Sequence, residues 1–133
     1  MRWLLPVLFA AVPAAAQPCD PGPLGGTART IESARHALAF RTEPAVIPIG
    51  SHFALEFRVC AAPGVQAPEV VAVDARMPAH GHGMNYAPGL TRAPDGRHRA
   101  EGLMFHMPGQ WELVFELKGA AGTDRLTASV TVE

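Results

Sequence analysis

Apolar and polar residues alternate with a period of two along most of the chain beyond residue 35. In 52–60, Phe53, Leu55, Phe57 and Val59 fall on one side, with His52, Glu56 and Arg58 on the other. Such alternation is the mark of a half-buried strand. Residues 36–42 alternate Ala37, Ala39 and Arg41 with His36, Leu38, Phe40 and Thr42. In 69–77, Val71, Val73, Ala75 and Met77 oppose Asp74 and Arg76. Further strands are expected at about 97–107, 110–118 and 124–132. Trp111, Leu113, Phe115 and Leu117 form one apolar row, and Leu126, Ala128, Val130 and Val132 another. Trp111 reads as a core anchor.

Between these strands lie breaks. Residues 78–96 hold four glycines and three prolines and read as a long loop. Pro48 to Gly50 and Gly119 to Gly122 read as turns. Residues 17–34, rich in Pro, Gly and small side chains, read as an irregular arm with one helical turn near Thr30 to Ala34. Alternating strands need a second apolar layer over their inward faces. An all-β sandwich of two antiparallel sheets, with about seven strands in 35–133, is therefore the expected fold; a small barrel is the other solution.

The first 16 residues depart from this pattern. Met1-Arg2 is basic, Trp3 to Val12 is mostly apolar and Ala14 to Ala16 are small, the layout of a cleavable secretion signal. The apolar run is short for a lasting anchor, so no stable membrane insertion is expected after cleavage. With Arg2 removed, ten Lys plus Arg face twelve Asp plus Glu, a formal charge of −2. That balance offers no dense basic surface for nucleic acid. Export passes through an oxidising compartment, the periplasm in this reading, where Cys19 and Cys60 are expected to pair as a disulfide.

Methionine and histidine are concentrated in one stretch. Residues 77–107 contain Met77, Met84, Met104 and Met107, together with His80, His82, His98 and His106. Imidazole and thioether suit copper, especially Cu(I), and suit hard ions poorly. An extended 97–107 sends Leu103, Phe105 and Met107 one way and Met104 and His106 the other. A copper site drawn from His80, His82, Met84, Met104 and His106 is therefore expected. Met77 and Met107 read mainly as core. His36, His52 and His98 lie among surface-like strand residues and read as solvated or structural. No nucleophile with an oriented base, no phosphate loop and no zinc-hydrolase pattern marks an enzyme.

The run Asp74 to Met84, with Met77-Pro78-Ala79-His80, and the run Glu101 to Leu113, with Met107-Pro108-Gly109-Gln110-Trp111, resemble the YtkA-like family of bacterial exported domains. The resemblance covers roughly residues 35–133. It implies an immunoglobulin-like sandwich and a setting near copper transport or cytochrome-oxidase assembly. A looser similarity is to periplasmic copper-resistance β-sandwich proteins. The expected function is a periplasmic copper-binding protein that stores Cu(I) or passes it to a membrane copper transporter or an oxidase-assembly protein. The alternative is a metal-free accessory domain that binds another protein through the 78–90 loop.

Overall fold

A computed structural model describes residues 17–133, which form two antiparallel sheets packed face to face. The expected signal in residues 1–16 lies outside the described residues. Among the described residues there are nine strands: β1 Arg29–Glu32, β2 His36–Glu43, β3 His52–Ala61, β4 Val70–Met77, β5 His82–Gly83, β6 Gly89–Arg92, β7 His98–Met104, β8 Gly109–Gly119 and β9 Gly122–Val132. One sheet runs β1-β2-β3-β7-β6 and the other β5-β4-β8-β9. The two-layer sandwich expected from the alternation is the observed architecture.

The core is the sum of the inward rows. Leu38, Phe40, Phe53, Leu55 and Phe57 from one sheet meet Val73, Ala75, Leu113, Phe115 and Leu117 from the other. Aromatic contacts run through it: Phe57 and Phe40 pack on Phe115, with ring centroids 5.4 and 5.6 Å apart. At one end Phe53 meets Phe105 at 4.9 Å, and Phe105 stacks on Trp111 at 4.4 Å.

Three local expectations are corrected. The helical turn expected near Thr30 to Ala34 is absent: β1 is an edge strand whose residues pair with Ala37 to Phe40 of β2. Its extended backbone finds hydrogen-bond partners on β2, which a single helical turn would leave unused. The 78–96 loop contains β5, which continues the β4 sheet, and β6, which adds to the edge of β7. Finally, His36 and His98 are not surface residues. His36 is buried, and His98 is half-buried and stacked flat on Phe57 at 4.9 Å. Burial, with the charge of Arg92, pushes the His98 imidazole below its ordinary value.

The 17–28 arm explains why β2 is buried on both faces. Cys19 is disulfide-bonded to Cys60, whose register partner is Ala37. Arg58, opposite Ala39, donates from Nε to the Pro23 carbonyl at 2.9 Å. The arm therefore lies across the outer side of β2 and β3, over Ala37 and Ala39, where small side chains leave it room.

His36 shares parity with Leu38 and Phe40, so it points inward, where it meets Asp124 of β9. His36 Nδ1 and Asp124 Oδ2 are 2.7 Å apart, and the Ser33 hydroxyl donates to the same oxygen. Burial pushes the Asp124 carboxyl up, but hydrogen bonds from Ser33 and His36 and the charges of His36 and Arg35 outweigh it. The net result is a carboxyl held below its ordinary value of 3.8. A depressed carboxyl stabilises the fold above its unfolded value, and that contribution disappears as pH falls through the folded value. Urea unfolding of Asp124→Asn is thus expected to lose part of the stability drop that the wild-type chain shows between pH 5 and pH 2. An unchanged pH profile would contradict the assignment.

Gly109 opens β8 with φ +129°, and a Cβ built there would lie 2.6 Å from Met77 Cε. Met77 is 2% exposed, so its methyl has little space to retreat into. Gly109→Ala is expected to cost about 1–3 kcal/mol through strained backbone and an overpacked neighbour. Chemical denaturation measures it.

Candidate functional site

The end of the sandwich capped by Phe105 and Trp111 carries the histidine cluster. Two independent stretches of backbone build it. The first is the β4–β5 hairpin. Met77 O accepts the N–H groups of His80 (3.1 Å) and Gly81 (3.0 Å), closing a tight turn. Gly81 has φ +67°, a conformation most side chains avoid, and it lets the chain reverse between the two histidines. His82 then pairs with Met77 and Gly83 with Arg76. Directly opposed residues in an antiparallel pair share a face, so His82 lies on the inward side, just past the end of the core.

The second stretch follows β7. Phe105 makes a parallel bridge to Ile49, and its carbonyl accepts the Gly50 N–H at 2.8 Å. Buried Phe105 fixes the backbone, and the exposed His106 next to it turns outward. Met107 returns the chain toward the core, where its carbonyl accepts Trp111 Nε1 at 3.1 Å. This bond satisfies the indole N–H of a fully buried ring.

These two stretches bring three imidazoles into a row. The His80 and His82 ring centroids are 5.7 Å apart, and those of His82 and His106 are 5.6 Å apart. His106 also meets Trp111 edge-on at 5.5 Å. All three histidines are exposed. The order His80, His82, His106, Trp111, Phe105 is thus continuous from solvent into the core.

The methionines are placed differently. Met84 continues β5 opposite Ala75, and its N–H donates to the Ala75 carbonyl at 3.3 Å. It shares the inward face of Ala75 and packs against the core. Met104 pairs with His52, one position on from the inward pair Leu103 and Phe53, and so belongs to the outer face of its sheet. There His52 meets Tyr86 edge-on at 5.3 Å. Met77 is core, and Met107 is half-buried against it. Of the five residues expected to form a site, the three histidines gather; Met84 packs inward, and Met104 sits opposite His52.

Ring separation fits chelation better than ring orientation does. Two imidazoles on one ion, each bound at about 2.0 Å, place their centroids about 5–6 Å apart. The His80–His82 and His82–His106 separations each fall in that range. The ring planes, however, are inclined by only 29° and 32°, closer to stacking than to convergence on a point. Among the described residues, no three His, Cys, Asp or Glu side chains stand ready to hold an ion. Convergence therefore requires rotation about side-chain torsions, which is easy for exposed rings.

Trp111 as the floor of the cluster is the feature that alternation alone does not reveal. Its strand parity places it in the core, and only the turn at Met107 and Gly109 brings His106 over its edge. On the other sheet, opposite charges gather around Glu56. Glu56 is held below the ordinary carboxylate range, first by its hydrogen bond from Arg41 and also by the charges of Arg97 and Arg99, while burial opposes the shift. Arg99 also pairs with Glu43 and Glu101. Comparison with known proteins finds no matching family model, no matching curated protein and no matching solved structure.

Proposed function

We propose that this protein is an exported, periplasmic copper-binding protein that holds Cu(I) on His80, His82 and His106. It stores the ion or passes it to a membrane copper transporter or an oxidase-assembly partner. The observation that carries this reading is the meeting of three exposed imidazoles from two separate chain segments at one end of the sandwich. Imidazole is a borderline donor suited to copper. Low coordination and solvent exposure favour exchange, because a partner's ligand can approach before one histidine leaves. No covalent change to a substrate is involved.

The signal-like residues 1–16 and the Cys19–Cys60 disulfide support an oxidising compartment. The resemblance to the YtkA-like domains, and the looser one to periplasmic copper-resistance sandwiches, points the same way. The near-parallel rings favour a second reading, in which the cluster is a metal-free contact surface for another protein.

Anaerobic titration with Cu(I) against a chromophoric chelator separates the two. One equivalent is expected to bind the wild-type chain. His82→Ala, which removes the middle ring, is expected to weaken binding at least 100-fold, or about 2.7 kcal/mol. Equal binding by both chains, or none by either, contradicts the copper reading; none by either favours the contact surface.

A further inference from the structure

One imidazole and one thioether stand together outside the histidine row, on the outer face of the β1-β2-β3-β7-β6 sheet. His52 opens β3, Met104 closes β7, and the two are register partners. Directly opposed residues of an antiparallel pair project to the same face, with Cβ atoms about 4.5–5.5 Å apart. The next pair, Phe53 and Leu103, is buried, so His52 and Met104 both point outward. His52 is exposed and Met104 half-buried. Among the described residues the His52 ring makes no hydrogen bond, and it meets Tyr86 with ring centroids 5.3 Å apart. The carboxylates of the same face are taken: Glu43 and Glu101 pair with Arg99, and Glu56 with Arg41 and Arg99. What the face leaves open beside His52 is therefore one nitrogen donor and one sulfur donor, with no free carboxylate.

We propose that His52 and Met104 form a second metal site, two-coordinate and selective for a soft monovalent ion of the Cu(I) class. The selection lies in the donors. Thioether sulfur binds hard ions poorly, and Zn(II) takes imidazole, thiolate or carboxylate. Two opposed side chains can set one nitrogen and one sulfur on opposite sides of an ion, the linear arrangement that closed-shell monovalent ions accept. Tyr86, packed against the His52 ring, restricts its rotation. With two donors the site binds more weakly than three imidazoles would, by at least 100-fold. His106 follows Met104 by two residues, about 6.6 Å along an extended chain. The two sites are thus neighbours, but the pair uses no residue of the histidine row and does not rest on that reading.

NMR titration with silver nitrate in chloride-free buffer tests the proposal, Ag(I) serving as an air-stable probe of the Cu(I) class. The titration is run on the wild-type chain and on a chain carrying His80→Ala, His82→Ala and His106→Ala, three exposed positions whose loss removes the row. In both, the Met104 methyl and the His52 ring are expected to shift together, and in the triple variant to saturate at one equivalent. Adding Met104→Leu, an apolar residue of similar volume, is expected to weaken binding to the triple variant at least tenfold. Zinc sulfate is expected to leave the Met104 methyl unmoved. The proposal is overturned if Ag(I) leaves either signal unmoved, if Met104→Leu binds as tightly, or if Zn(II) moves the methyl as Ag(I) does. Failure of the histidine row in its own Cu(I) titration alters none of these outcomes.

Discussion

Trp111→Ala is expected to destabilise the protein by about 3–5 kcal/mol, the range for removing a large buried aromatic. Trp111 is fully buried, stacks on Phe105 with planes 9° apart, and donates to the Met107 carbonyl. Truncation removes all three contributions at once. It leaves a cavity at the end of the core and an unpaired carbonyl beside it. Against a total stability of roughly 5–15 kcal/mol, typical of a domain this size, that loss is a large fraction. Urea unfolding followed by far-UV circular dichroism measures it. A loss below about 1 kcal/mol would mean that the core closes over the gap, which a packed interior rarely does. Trp111→Phe keeps most of the stacked area and loses the indole N–H. It is expected to cost less than the alanine variant, and the difference separates packing from the hydrogen bond.

Replacing both Cys19 and Cys60 by alanine should cost about 2–4 kcal/mol. The bridge closes a loop of sequence separation 41, and its loss restores freedom mainly to the unfolded chain. A second effect adds to this. The bridge is where the 17–28 arm is tied to β3, and the arm's own Leu24 is buried, as are Ala37 and Ala39 of β2. Without the tie, amide exchange is expected to accelerate first in residues 17–28 and in β1, and only later in β8 and β9. Uniform acceleration would show that the arm adds nothing beyond global stability, and unchanged stability would show that the arm holds its place without the bridge.

The strands with one buried and one open face are legible in the sequence, because burial imposes the alternation that reveals them. β3, β4, β8 and β9 fall within two residues of their expected limits. β1 and β6 are harder to see for the same physical reason. All of Gly89–Arg92 is exposed, so no inward face exists to select apolar residues. His36 has the parity of Leu38 and Phe40, and Asp124 that of Leu126 and Ala128, so both point inward. The mutual hydrogen bond that makes the pair tolerable there depends on β2 and β9 facing each other across the sandwich.

The candidate site divides along a similar line. His80 and His82 are two apart around a glycine, and His106 has the parity of an outward residue, so their meeting follows from local patterns plus the hairpin. Placing Met84 and Met104 requires pairing register. Ala75 opposite Met84 fixes the first on the inward face, and His52 opposite Met104 fixes the second on the outer face of the other sheet. Nothing within either segment encodes those partners.

X-ray absorption at the copper edge of the Cu(I)-loaded wild-type protein is the most direct measurement of the proposed centre. Two or three imidazoles at about 2.0 Å are predicted, with the outer-shell scattering that imidazole rings produce, and that signal should diminish in His106→Ala. Copper bound through sulfur alone, or an imidazole signal indifferent to His106, would mean that the two chain segments do not share one ion.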